Sequence, residues 1–144
     1  MGFAARSGAY VVSTLDIVGA GRLMWHPEEL DDPRIALTVP LVVGSDSAGW
    51  PIFPYLLHGR STHVEMGLLS DAGLTPAEVL TAATLRPATM LGLEAEIGTV
   101  EVGKRADLLV VSGDPLEDVG TLGHPVWVIR AGEVRTPQGW MREP

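Results

Sequence analysis

The chain has 144 residues, 46% of them hydrophobic, and a formal net charge of −8. This length and composition predict one globular domain with its own core rather than a disordered chain. The acidic balance leaves no basic stripe for phosphates, which argues against nucleic-acid binding. Cysteine is absent, which excludes disulfides and thiolate metal sites, and no apolar run is long enough to predict a transmembrane helix. We therefore expect a cytoplasmic protein with no nucleic-acid or membrane partner.

The first part of the chain predicts two strands separated by an irregular segment. Residues 10–15 (YVVSTL) are apolar and β-branched, which is typical of a strand. Residues 41–45 (LVVGS) form a second such run, and a short continuous apolar run indicates a strand buried on both faces, as in parallel sheets. Between the two runs, residues 28–30 suggest a helical turn at most, and we predict a short helix at about Pro33–Val39.

An acidic residue, Asp46, directly follows the second predicted strand. In parallel α/β proteins the carboxyl ends of the strands are where the chemistry is placed. An isolated aspartate after an apolar run is nevertheless more often a turn residue than a catalytic one. Its neighbourhood in the chain therefore decides between the two interpretations.

A loop rich in proline and aromatic residues (50–60) leads into the first well-marked helix. Thr62 and Glu65 have the spacing of a capping box, and Gly73 supplies a left-handed stop. The apolar face of this helix is predicted to consist of Val64, Leu68, Leu69 and Ala72.

Two further helices are predicted directly after this stop. Thr75 and Glu78 form a second capping box, with a proline at the first helical position. The predicted apolar face of this helix consists of Ala77, Leu80 and Ala83. A shorter helix, Arg86–Leu91, is ended by Gly92.

The sequence pattern changes near residue 97, where short apolar runs and turn residues replace the helical spacing of apolar residues. We predict strands at 98–103, 107–111, 126–129 and 133–135, with a turn at Asp114 and a tight hairpin at Ala131 and Gly132. The tail, 136–144, has no pattern that predicts a helix or a strand. The chain thus divides into a mixed α/β part (1–93), a small β module (94–135) and a tail (136–144).

Three motifs in this order resemble the metal-dependent amidohydrolase superfamily. They are the Gly-Ser-Asp of residues 44–46, the GLTPAEVL segment at 73–80 with its following Ala-Ala-Thr, and the closing GTVEVGKRADLLVV segment at 98–111. The nearest resemblance is to the imidazolonepropionase-like branch, which includes prolidase-like dipeptidases. Three linked motifs at family spacing are far more specific than a single match.

The resemblance implies an α/β fold, the C-terminal part of a (β/α)₈ barrel from about strand 7 onward, with part of a small β-sandwich. It also implies a hydrolase that cleaves amide, cyclic amide or dipeptide C–N bonds with zinc or another divalent metal. Asp46 would be the strand-8 metal ligand and would accept the proton of the attacking water. His58, in the loop after that strand, would contact a small-molecule amide or peptide substrate.

The departure from the family pattern is large. A barrel of this type takes ~250 residues, whereas only about 40 precede Asp46. Strands 1–6 are therefore expected to be missing, with the His-x-His pair and the other ligands that the resemblance assigns to them. We expect the chain to associate with itself or with an N-terminal barrel partner and to be inactive alone. The alternative is a non-catalytic, truncated remnant that only folds or associates with a partner chain.

The remaining polar residues of interest have structural interpretations. His63 is expected to be a plain surface histidine, and His26 and His124 to be structural or exposed. The closing motif contains the single lysine of the chain, Lys104, which cannot replace the metal-site lysine of the family because it lies in the closing turn. Asp107 is expected to fix that turn.

Overall fold

The computed structural model describes residues 11–13, 40–45, 47 and 58–141. Its elements in chain order are β1 (Val11–Ser13), β2 (Leu41–Val43), α1 (Arg60–Asp71), α2 (Pro76–Ala83), α3 (Leu85–Met90), β3 (Leu108–Val111), a 3-10 helix (Val119–Gly123), β4 (Pro125–Arg130), β5 (Glu133–Arg135) and α4 (Pro137–Trp140). The short helix predicted at Pro33–Val39 lies outside the described residues. In the parts of the chain that are described, no helix is long and apolar enough to cross a membrane.

The two predicted N-terminal strands form a parallel pair. β1 lies beside β2, with Val11 opposite Leu41 and Ser13 opposite Val43. Leu41 and Val42 are buried, as expected for a strand covered on both faces. The strand prediction is confirmed, although β2 ends at Val43 rather than Ser45. Mixed helices and strands with a parallel pair agree with the predicted α/β class.

The capping box predicted at Thr62 and Glu65 is wrong. α1 begins at Arg60, its N-cap is Gly59, and no side chain caps its start. Glu65 is fully buried on the inner face of the helix, so its carboxylate does not turn back to the first turn. The predicted apolar face is correct in part: Leu69 is buried, but Val64 is exposed, and the other buried residues are Ser61, Glu65 and Met66.

The end of α1 and the whole of α2 follow the sequence signals. The Gly73 backbone has φ of 99°, and the Leu74 amide donates to the Leu69 carbonyl, as in a Schellman motif. The capping box at Thr75 and Glu78 is confirmed in both directions. Val79 and Ala82 are the buried residues of α2, whereas Leu80 and Ala83 of the predicted face are partly buried and pack against the core, so the face is shifted by about one residue.

The β module is a three-stranded antiparallel sheet in the order β3–β4–β5. Leu108 lies opposite Ile129, and Ile129 lies opposite Val134. The hairpin between β4 and β5 turns at Ala131 and Gly132, both with positive φ, as predicted. One core joins this sheet to the helices: Leu41, Met66, Leu69, Val79, Val119 and Leu122 form a buried cluster, with Val111 packed against it.

Two predictions for the C-terminal half are wrong. Residues 98–103 form turns rather than a strand, because Gly98 and Gly103 both have positive φ, which interrupts the extended backbone. The tail is not featureless: Thr136 caps the short helix α4, and the Trp140 indole donates to the Val128 carbonyl at 3.0 Å. Sequence signals for α4 existed, since a threonine followed by proline is a common helix start.

Asp107 fixes a turn, but this turn is the hairpin between β4 and β5, which is distant from Asp107 in the chain. Its Oδ1 accepts a hydrogen bond from the Ala131 amide at 2.7 Å, and its other oxygen accepts one from the Arg105 side chain. The Gly132 amide also donates to the Ala106 carbonyl. These contacts tie the start of β3 to the β4–β5 hairpin, where Ala131 has φ of 49° without being glycine.

We expect Asp107 to contribute stability that is lost in acid. Its pKa is held below the usual value, first because it accepts the Ala131 amide and then because it accepts the Arg105 side chain. Since the folded-state pKa lies below the unfolded value of about 3.9, the contribution is complete above that pH and is lost as the pH falls through the folded value. The Tm advantage of the wild type over Asp107→Ala should therefore shrink below about pH 4.

Thermal unfolding between pH 2.5 and 7 would measure this contribution. Asp107→Asn is the matched variant, because its amide oxygen can still accept the Ala131 N–H although the charge is gone. It should lie between the wild type and Asp107→Ala at neutral pH. A Tm difference that stayed constant across this pH range would show that the Asp107 charge plays no part in holding the hairpin.

Candidate active site

The turn at the carboxyl end of β2 is the candidate site. Gly44, Ser45 and Ser47 are half-buried there. The Ser47 hydroxyl donates to the Ser45 hydroxyl at 2.9 Å, and the Ser47 amide approaches the same oxygen at 3.4 Å. Asp46, the candidate metal ligand and base, lies outside the described residues. Ser45 and Ser47, which flank Asp46 in the chain, are thus hydrogen-bonded to each other.

The opposite end of β2 is held by α3. Arg86 Nη1 donates to the Leu41 carbonyl at 3.4 Å, and Leu41 itself is part of the buried core. The strand is therefore anchored at its first residue and packed along its length, since α1, α2 and α3 all contact it. The turn after Val43 thus follows a strand that contacts three helices.

The histidines of the chain have different surroundings. His58, the candidate substrate contact, is exposed just before α1. The expectation that His63 is a surface residue is wrong: it is half-buried, and its Nδ1 is enclosed without a hydrogen-bond partner among the described residues. His124 is exposed at the end of the 3-10 helix, as expected, and His26 lies outside the described residues.

A complete metal site is not present in the described part of the chain. Residues 11–13, 40–45, 47 and 58–141 contain no group of three or more histidine, aspartate or glutamate side chains placed to hold a metal ion. A zinc site generally needs about three or four converging ligands. These residues therefore do not fit a whole metal centre, and Asp46 by itself offers one carboxylate.

The carboxylates with lowered pKa lie in structural turns. Hydrogen bonds from Thr75 lower the pKa of Glu78, which closes the capping box of α2. The Thr99 hydroxyl, and then the charge of Lys104, lower the pKa of Glu101. Lys104 Nζ also donates to Thr99 Oγ1, so the single lysine holds the closing turn, as predicted. None of these groups belongs to the turn after β2.

The burial of two polar residues on α1 was missed. Glu65 is 0% exposed and Ser61 is 1% exposed, which makes them the two buried polar residues in the described chain. A charged residue is almost never fully buried unless it is paired. Ser61, Glu65 and Leu69 follow one another at intervals of four on one helical face, but this spacing does not by itself indicate that the face is buried.

Comparison with known proteins shows which family the sequence matches. The model of the amidohydrolase family matches residues 28–134. The chain is 53% identical over 92 residues to imidazolonepropionase of Brevibacillus brevis, which covers 56% of this chain and 21% of that protein. It is 47% identical over 47 residues to 5'-deoxyadenosine deaminase of Methanobrevibacter smithii, covering 33% and 11% of the two chains.

Solved structures agree on the fold. Molinate hydrolase superposes with a TM-score of 0.71 at 24% identity, covering 99% of this chain and 32% of that one. A Xaa-Pro dipeptidase superposes with a TM-score of 0.61 at 23% identity, covering 76% and 25% of the two chains. The chain thus spans about a third or less of the proteins it matches. Because the family model covers well over half of the chain, this protein is a member of the amidohydrolase family.

Proposed function

We propose that this chain is the C-terminal portion of a metal-dependent hydrolase that cleaves carbon–nitrogen bonds in small amides, cyclic amides or dipeptides. The single observation that supports this most is the parallel β1–β2 pair, which ends in the Gly-Ser-Asp-Ser turn inside the segment matched by the family model. On this proposal, residues 1–93 are the end of the barrel, 94–135 belong to the small β-sandwich, and 136–144 are a tail. We place the protein in the cytoplasm.

Asp46 carries the chemistry in this proposal. Zinc or another divalent metal, when bound, would lower the pKa of a water molecule toward neutrality. The Asp46 carboxylate would be one of its ligands, and it would also be the group that can accept a proton from water, as a general base does. The Ser45–Ser47 hydrogen bond supports the turn on both sides of it. His58, exposed before α1, would contact the substrate.

The remaining ligands would come from outside the described residues. An N-terminal barrel partner, or a longer reading frame, would supply a His-x-His pair and the other strands. A non-catalytic remnant is the second candidate, and the lack of a ligand group among the described residues favours it. Hydrolysis that appears only when the chain is mixed with, or fused to, a His-x-His polypeptide would decide for the enzyme.

The chain alone is expected to hold far less than about one zinc after dialysis, because its described residues contain no group of three or more side chains placed to hold a metal ion, and a zinc site uses about three or four converging ligands. Metal analysis of wild type and Asp46→Ala would test this, and both should give the same low value. Retention of about one zinc per chain in the wild type, lost in Asp46→Ala, would show that the chain contains a complete site.

A further inference from the structure

The two edges of the three-stranded sheet differ in how they are protected. The β5 edge carries Glu133 and Arg135, which form an ion pair, and the short helix α4 packs against β4 and β5. Charged residues and covering helices are common means of keeping an edge strand from pairing with another chain. The β3 edge, Leu108–Val111, contains no charged residue and no proline, and Leu109 and Val110 are 43% and 40% exposed. The β3 edge is therefore the one open to a further strand.

The hairpin between β4 and β5 determines which backbone groups β4 directs toward β3. A two-residue loop, Ala131 and Gly132, joins the two strands, so Arg130 and Glu133 exchange the hydrogen bonds that close the hairpin. Along antiparallel strands, residues that bond to one neighbour alternate with residues that bond to the other. Ile129 therefore bonds to β3 rather than to β5.

The same alternation fixes the direction of the backbone groups of β3. Leu108, which lies opposite Ile129, directs its N–H and C=O toward β4, and so does Val110. The N–H and C=O groups of Leu109 and Val111 consequently point away from the sheet. No hydrogen bond joins these outward groups to another of the described residues. The edge thus presents two donors and two acceptors, spaced two residues apart.

A second copy of β3 matches this spacing. When two such strands pair antiparallel about a two-fold axis at Val110, Leu109 of each copy lies opposite Val111 of the other. All the outward groups of both strands are then hydrogen-bonded. Val110 lies opposite Val110 in a pair without hydrogen bonds, where the side chains come closest. Because Leu108–Val111 is uncharged, the pairing brings no like charges together within the strands.

The charges beside β3 favour the antiparallel orientation. Arg105 precedes the strand and its side chain is 56% exposed, whereas Asp114 follows the strand and is exposed. Arg105 is paired with Asp107 through Nε, and the rest of its guanidinium has further N–H donors. Antiparallel pairing places the segment with Arg105 beside the segment of the other copy with Asp114, at both ends of the interface. Parallel pairing would place two Arg105 side chains together, so electrostatic complementarity favours the two-fold arrangement.

We infer that the β3 edge is an interface for a second copy of this chain, in which Leu108–Val111 of the two copies pair antiparallel with Val110 opposite Val110. The two sheets then form one continuous six-stranded sheet. The inference goes beyond the proposed function and does not depend on it, since it uses neither the turn after β2 nor a metal. It can be tested with the chain as it is.

The register can be tested because the chain contains no cysteine. In an antiparallel pair without hydrogen bonds the two Cα atoms lie about 4.5 Å apart, which is within the range of a disulfide. Val110→Cys should therefore form a covalent dimer under mild oxidation about tenfold faster than a variant whose thiols meet only by collision. The matched control is Val134→Cys, since Val134 is an exposed valine on β5, away from the interface. Equal rates in the two variants, or no disulfide dimer of Val110→Cys, would overturn the inference.

The second test removes an outward donor. Leu109→Pro deletes the N–H of Leu109, and proline is tolerated on an edge strand where that N–H faces solvent. Sedimentation between about 1 and 200 µM should show a concentration-dependent dimer for the wild type and monomer for Leu109→Pro. Leu109→Val keeps the N–H and an apolar side chain, so it should dimerise like the wild type.

A third variant covers the case in which Leu109→Pro does not fold, as judged by circular dichroism. Leu109→Lys keeps the backbone but places a charge at the edge, which should also give a monomer. Two outcomes would overturn the inference. One is a wild type that stays monomeric over the whole concentration range, and the other is a folded Leu109→Pro or Leu109→Lys variant that dimerises as strongly as the wild type.

Discussion

Replacing Asp46 by asparagine in the completed enzyme is expected to lower kcat/KM on an accepted amide substrate by roughly 10²- to 10⁴-fold, the usual effect of losing a general base. Asparagine keeps the size and much of the hydrogen bonding of aspartate, but it has neither the charge that favours a metal nor the capacity to accept a proton. Weaker metal binding would add to the loss. Stability should change little, because the core residues of β2 are Leu41 and Val42.

The competing interpretation of Asp46 makes the opposite prediction. Asparagine serves turns as well as aspartate does, so a turn residue would tolerate the change with activity intact. kcat/KM and Tm should be measured together, with Asp71→Asn as the control for loss of one exposed carboxylate, at the end of α1. Near-normal turnover in Asp46→Asn would mean that the proton acceptor must be sought elsewhere in the enzyme.

Local sequence signals predicted most elements correctly where no distant contact competed with them. The apolar runs became β2 and β3, and the Ala131–Gly132 hairpin formed as expected. The two capping boxes show the limit. Both have threonine followed three residues later by glutamate, yet only the box at Thr75 forms. In α1 the glutamate, Glu65, is buried instead, and no local sequence pattern predicts this burial.

The candidate site was predictable to a smaller extent than the fold. The family motifs single out Asp46, since they are continuous in sequence, and the parallel β1–β2 pair agrees with its place after a barrel strand. Ligands that converge from distant strands leave no local pattern. Glu65 is a similar case, because its burial depends on how α1 packs against β2 rather than on its neighbours in the chain.

The glycines of the closing motif provide the second large prediction. Gly98 and Gly103 have almost the same backbone conformation, with φ of 97° and 96°. Their surroundings differ. A Cβ on Gly98 would lie 2.8 Å from the Ala88 Cβ and 3.1 Å from the Leu85 Cα, whereas a Cβ on Gly103 would meet nothing within 4 Å. A comparison of alanine substitutions at Gly98 and Gly103 therefore separates the cost of backbone strain from the cost of close packing.

Gly98→Ala is expected to lower the free energy of unfolding by about 3 kcal/mol or more, because backbone strain and overpacking each cost about 1–3 kcal/mol. Ala88 is 2% exposed and its neighbour at Leu85 is backbone, so neither can move aside without displacing α3 from β2. Gly103→Ala should cost only the strain, about 1–2 kcal/mol. Urea unfolding of both variants would measure the difference. Equal losses would show that the closing turn does not pack tightly on α3, and that the two glycines serve only the turns in which they lie.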